Sequence, residues 1–101
     1  MARTTEPLEY TLGRTWAVTV TADLDQEDMT GVTGQIEVKR RGVGLLVVNG
    51  TVPDNEVKEM LFVIPEVDQE DIEAGLHEYR VDFTVSGQTL DQAEGILYVR
   101  E

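Results

Sequence analysis

Apolar and polar side chains alternate along most of this chain with a period of two, the spacing of strands that bury one face. The clearest run is Arg14 to Ala22, where Trp16, Val18, Val20 and Ala22 share one face and Thr15, Ala17, Thr19 and Thr21 the other. Its β-branched content suits a pleated surface. Trp16 supplies a large apolar anchor for a core. A second run starts at Thr33, with Ile36 and Val38 inward and Gln35, Glu37 and Lys39 outward, and stops at Arg40-Arg41-Gly42. Val43 to Val48 is apolar on both faces. Asn49-Gly50 then predicts a type I′ hairpin, and Pro53 confines the returning segment to an edge or ends it early. Val57 to Ile64 sets Met60, Phe62 and Ile64 against Leu61 and Val63, and Pro65 stops it.

The last third carries the strongest hairpin signal. Tyr79, Val81, Phe83 and Val85 line one face, Gly87 turns the chain, and Gly95 leads into a short apolar strand ending at Val99. Asp68 to Ala74 predicts one or two helical turns capped by Asp68 and ended by Gly75. Tyr79 has two readings, a core aromatic or a corner residue whose hydroxyl bonds back to upstream backbone. Leu8, Tyr10 and Leu12 form a short first strand, and Gly13 allows a bend. Residues 1–7 lack periodicity and predict a loose N-terminal arm that orders on a partner. The expected fold is all-β: a single immunoglobulin-like antiparallel β-sandwich of about seven strands spanning residues 8–101.

Length and composition agree with one domain, since 101 residues bury a viable core. With no cysteine, disulfides and thiolate metal sites are excluded. The first residues carry no apolar stretch of the signal-peptide kind, and apolar runs such as Leu45 to Val48 are far too short to cross a bilayer. The expected site of synthesis is the cytoplasm. The formal charge of −12, from 20 acidic and 8 basic residues, repels nucleic-acid phosphate and anionic lipid, so neither nucleic acid nor membrane is an expected partner.

Few residues suggest chemistry. Asp23, Asp25, Glu27 and Asp28 place carboxylates where a calcium loop would, but no glycine stands at the sixth loop position and no glutamate at the twelfth. Asp68, Glu70, Asp71 and Glu73 suit a helix start or a patch for a basic partner. Lys39, Arg40 and Arg41 form the one basic cluster, without the aromatics of a nucleic-acid groove. His77 has Asp82 and Ser86 nearby in sequence, but no motif frames them as a catalytic set. Asn49-Gly50-Thr51 fits the glycosylation pattern, with a plain turn as the simpler reading. No catalytic, metal-binding or cofactor-binding residue is assigned, and the chain is not expected to be an enzyme.

Three segments carry a family resemblance. They are GRTW at Gly13 to Trp16; Asp28-Met29-Thr30-Gly31 leading to GQIEVKRR; and a set made of Ala74 to Tyr79, Ser86 to Leu90 and Gly95 to Val99. In this order they resemble the small immunoglobulin-like sandwiches of tailed-phage virion proteins, of the baseplate upper protein N-terminal type. Two positions depart from that pattern: Arg14 replaces an acidic residue, and Gly75 lies four residues before Tyr79 instead of two. The resemblance implies a structural subunit of the virion that docks onto a larger symmetric assembly, with other virion proteins and copies of itself as partners. A capsid-decoration or head-fibre role is the alternative within that class. Outside it stand a carbohydrate-binding or adhesion module, for which only Tyr98 is free among the aromatics, and an acidic mimic of nucleic acid that inhibits an enzyme.

Overall fold

A computed structural model describes residues 3–101, and two β-sheets pack against each other. The eight strands are β1 (Arg3–Thr4), β2 (Leu8–Thr11), β3 (Trp16–Thr21), β4 (Val32–Arg40), β5 (Val43–Asn49), β6 (Glu59–Ile64), β7 (Gly75–Val85) and β8 (Gln88–Arg100). The large sheet has the order β1-β8-β7-β4-β5, with β2 also on β8, and the small sheet is the antiparallel pair β3-β6. The all-β, two-sheet expectation holds, with one departure from purely antiparallel pairing. Both β1 and β2 run parallel to β8, Arg3 opposite Ala93 and Leu8 opposite Leu97. Arg3 to Thr11 therefore forms an edge strand interrupted at residues 5–7. The loose arm expected over residues 1–7 is instead strand-paired from Arg3; Met1 and Ala2 lie outside the described residues.

The core forms where the two sheets' inward rows meet. Trp16, Val20, Met60, Phe62 and Ile64 from the small sheet face Ile36, Val38, Tyr79, Val81, Phe83, Leu97 and Val99 from the large one. Val18 and Val85 pack at its margin. Period-two patterning fixed this arrangement, because a slip of one residue would turn each inward row to solvent.

Two tight turns are built by residues with positive φ at both central positions. Arg41 (54°) and Gly42 (80°) join β4 to β5, and Ser86 (51°) and Gly87 (80°) join β7 to β8, the conformation that matches strand twist in two-residue hairpins. The Asn49-Gly50 hairpin does not form. β5 and β6 belong to different sheets, so the chain crosses over there. Gly50 serves close packing: a Cβ on it would lie 2.5 Å from Met60 Cγ and 2.7 Å from Phe62 Cε1. The helical segment is also shorter and earlier than expected, a four-residue 3-10 helix at Glu66–Gln69 with no side-chain cap bond. Pro65 stands at its N-cap and its carbonyl accepts from the Asp68 amide at 3.0 Å, so Asp68 lies inside the helix and not at its cap.

Candidate interaction surface

The strand order divides the candidate residues between two loop ends and one broad sheet face. At one end lie the β3–β4 loop, the β5–β6 crossover and the β7–β8 turn; at the other lie the β4–β5 turn and the 3-10 helix segment. The acidic loop from Asp23 to Asp28 is anchored by its apolar members, since Leu24 and Met29 are buried. Asp28 accepts from the Thr30 amide at 2.9 Å, which with the Thr30 hydroxyl holds its carboxyl below the usual aspartate range. Asp23 instead offers its backbone amide to Asp91, 2.9 Å away. No group of three or more His, Cys, Asp or Glu among the described residues is arranged to hold a metal ion.

The second acidic cluster surrounds the 3-10 helix. Asp68, Glu70, Asp71 and Glu73 are exposed, while Gln69 and Ile72 turn inward. Gln69 ties this end together: its Nε2 donates to Arg14 O (2.6 Å) and Ile64 O (3.2 Å), and its Oε1 accepts from the Gly13 amide (3.3 Å). Sequence reasoning passed over it, because a lone glutamine among acids carries no pattern.

The basic cluster separates. Lys39 projects from the outer face beside Glu37 (3.4 Å), Arg40 reaches Glu73 (3.4 Å), and Arg41 occupies the tip of its turn. His77 is not on the surface. It is 1 % exposed, its Nδ1 lies 3.1 Å from Gly75 O, and its Nε2 has no partner among the described residues. Asp82 projects from the opposite face of β7, beside Arg80 at 3.2 Å. Ser86 lies in the turn beyond the far end of that strand, about 30 Å away along an extended chain. The three groups do not meet, and His77 is a core residue. The Asn49 side chain accepts from Gln35 Nε2 at 3.0 Å on the same outer face.

Tyr79 links the edge strand to the sheet. It lies opposite Gly95 in the β7–β8 pairing, and the absent side chain lets its ring cross β8. Its hydroxyl donates to Glu6 O (2.7 Å) and contacts the Thr5 hydroxyl at the interruption between β1 and β2. The bond does run to upstream backbone, but 73 residues back, to a neighbouring strand instead of a local corner. Arg3 secures the same strand, donating to Asp91 at 2.8 Å and to Thr21 O. Burial pushes the Asp91 carboxyl up, yet the bonds from Arg3 and from the Asp23 amide outweigh it and hold the group below its ordinary 3.8. Tyr10 stacks on Trp16, ring centroids 5.5 Å apart, and Trp16 Nε1 donates to Thr11 O at 2.8 Å.

Four exposed large apolar residues gather on the outer face of the large sheet, while others, such as Val57, Val63 and Val67, stand elsewhere. Val47 (53 %), Leu76 (60 %), Ile96 (48 %) and Tyr98 (48 %) project from that face. Leu76 pairs directly with Tyr98, and Glu78 with Ile96. Between them run charged cross-strand neighbours: Glu78 beside Lys39, and Arg80 flanked by Glu37 and Glu94. Strand parity alone assigns these residues to the outside once Tyr79, Val81 and Phe83 are read as inside; the apolar content of β8 masks it. Tyr98 is the one large aromatic left open, as expected from sequence.

No known protein-family model matches the chain, and no curated protein matches it.

Proposed function

We propose that this chain is a structural subunit of a tailed-phage virion, docking through its sandwich faces onto a larger symmetric assembly of the tail or baseplate. The observation that carries the reading is the outer face of the large sheet, where exposed Val47, Leu76, Ile96 and Tyr98 stand among mutually paired charges. Such a mixture of aromatic, aliphatic and compensated charge suits protein recognition. The strand order also supports an immunoglobulin-like sandwich: β8-β7-β4-β5 faces β3-β6, and the first strand lies along the last.

The segments carrying the family resemblance occupy fold-determining positions. Gly13 (φ 81°) feeds Trp16 into the core, Asp28 and Gly31 (φ 75°) close a loop over buried Met29, and Gly95 admits the Tyr79 ring. On this reading the chain performs no catalysis, and its acidic exterior keeps free copies apart until partners offset the charge. Mass spectrometry of purified particles tests it. The chain is expected at a fixed stoichiometry matching a symmetric ring or shell, and its absence from particles overturns the proposal.

A further inference from the structure

The outer face of the large sheet is matched to itself. Across it, the β7–β4 pairing sets Glu78 beside Lys39, Arg80 beside Glu37 and Asp82 beside Gln35. A two-fold axis in the plane of that face, running along the strands between β7 and β4, exchanges the members of each pair. It places Arg80 of one copy over Glu37 of the other, Glu78 over Lys39, and Asp82 over Gln35, each contact occurring twice as an isologous interface requires. The same rotation brings the β8 edge of one copy over the β5 edge of the other. Tyr98 and Leu76 then meet the Arg41–Gly42 turn, where a guanidinium stacks on an aromatic ring.

Charge singles out this face. Lys39, Arg80 and Arg100 stand there against Glu9, Glu37, Glu78, Asp82 and Glu94. Three cations and five carboxylates leave −2 on the face and −10 of the total −12 on the rest of the molecule. Two copies meet here without the repulsion that opposes other approaches. Size is compatible with pairing. The rotation overlaps the four strands β8, β7, β4 and β5, which, spaced about 4.8 Å apart and with the 11 residues of β7 at about 3.3 Å each, span roughly 700 Å2, within the range of about 600–1,000 Å2 per partner for standard interfaces.

We infer that two copies of this chain pair face to face through the outer surface of the large sheet, with Arg80 and Glu37 forming reciprocal ion pairs across the two-fold axis. The pairing names the self-contact within the virion reading and rests on that reading. The test uses the isolated chain, so its failure leaves the particle measurement standing by itself.

Arg80→Glu and Glu37→Arg variants are measured alone and mixed, by light scattering coupled to size exclusion, with circular dichroism confirming that each is folded. The wild type is expected to be a dimer at tens of micromolar. Each variant places like charges at both reciprocal contacts and weakens self-association about 100-fold. An equimolar mixture restores both contacts and returns to a 1:1 heterodimer. A monomeric wild type, a variant that dimerises as well as wild type, or folded variants that stay monomeric when mixed overturns the pairing.

Discussion

Replacing Gly95 with alanine tests how the edge strand is held. In an ordinary strand this substitution stabilises by about 0.5–1 kcal/mol, because the unfolded chain loses freedom. Here a Cβ would lie 2.7 Å from the Tyr79 hydroxyl, 2.8 Å from Cζ and 2.9 Å from Cε1. The residue is 3 % exposed and its hydroxyl is held by Glu6 O, so relieving the clash carries the overpacking penalty of about 1–3 kcal/mol. The displaced hydroxyl also loses its bond to Glu6 O, about 1 kcal/mol net. The expected balance is a loss of about 2 kcal/mol, or a melting temperature lower by about 10 °C for a domain of this size. Urea denaturation followed by Trp16 fluorescence measures the global term. Amide exchange at Thr5 and Leu12, which donate to Glu94 O and Arg100 O, reads the edge strand directly and should speed up at Thr5 first. Tyr79→Phe keeps the ring and removes the bond, so it should lose only about 1 kcal/mol. A Gly95→Ala protein as stable as wild type, with unchanged Thr5 protection, refutes the reasoning.

Other substitutions probe the two loop ends. Gln69→Glu turns a buried double donor into a carboxylate facing the Arg14 and Ile64 carbonyls; it should destabilise by about 3 kcal/mol, read by chemical denaturation, while Gln69→Ala loses about 2. Because the folded Asp91 carboxyl titrates below 3.8, its contribution is complete above about pH 5 and disappears as pH falls through the depressed folded value. The stability difference between wild type and Asp91→Asn should therefore be largest at neutral pH and shrink steadily as pH falls below 3.8, and a difference independent of pH would contradict the assignment. His77→Leu removes a buried ring nitrogen that has no partner among the described residues, and with it the Nδ1 contact to Gly75 O; relief of about 1–3 kcal/mol against a lost bond of about 1 kcal/mol is expected to leave a small net rise in the urea midpoint.

Much of the fold was legible because alternation reports burial directly. The inward rows of β3, β4, β6 and β7 follow from period-two patterning, since each strand has one buried face. Asn49-Gly50 misled because the same dipeptide serves two purposes. A glycine that forms a turn and one that admits Met60 and Phe62 look alike until the facing sheet is known. The parallel placement of Arg3 to Thr11 was not legible, because two-residue β1 offers no pattern and its partners lie at the far end of the sequence. Nor was the ion pair of Arg3 with Asp91, which joins residues 88 positions apart. The outer-face residues were readable in principle: Leu76, Ile96 and Tyr98 fall on the parity opposite to Tyr79, Leu97 and Val99. Their significance emerged only from cross-strand register, which sets Leu76 against Tyr98 and Arg80 against Glu37.

The parallel seam between the first and last strands has a bearing on how the protein is made. Arg3 to Thr11 leave the ribosome well before their partners in β8. Until those residues emerge, the nascent chain carries an unpaired leading segment with Tyr10 and Leu8 open to water, and Trp16 lacks its stacking partner's fixed position. Closure of the domain is thus a late event that awaits the arrival of β8. Stalled nascent chains that keep β8 inside the exit tunnel should remain open to proteases at their leading end, then become resistant as Ala93 to Arg100 clear it.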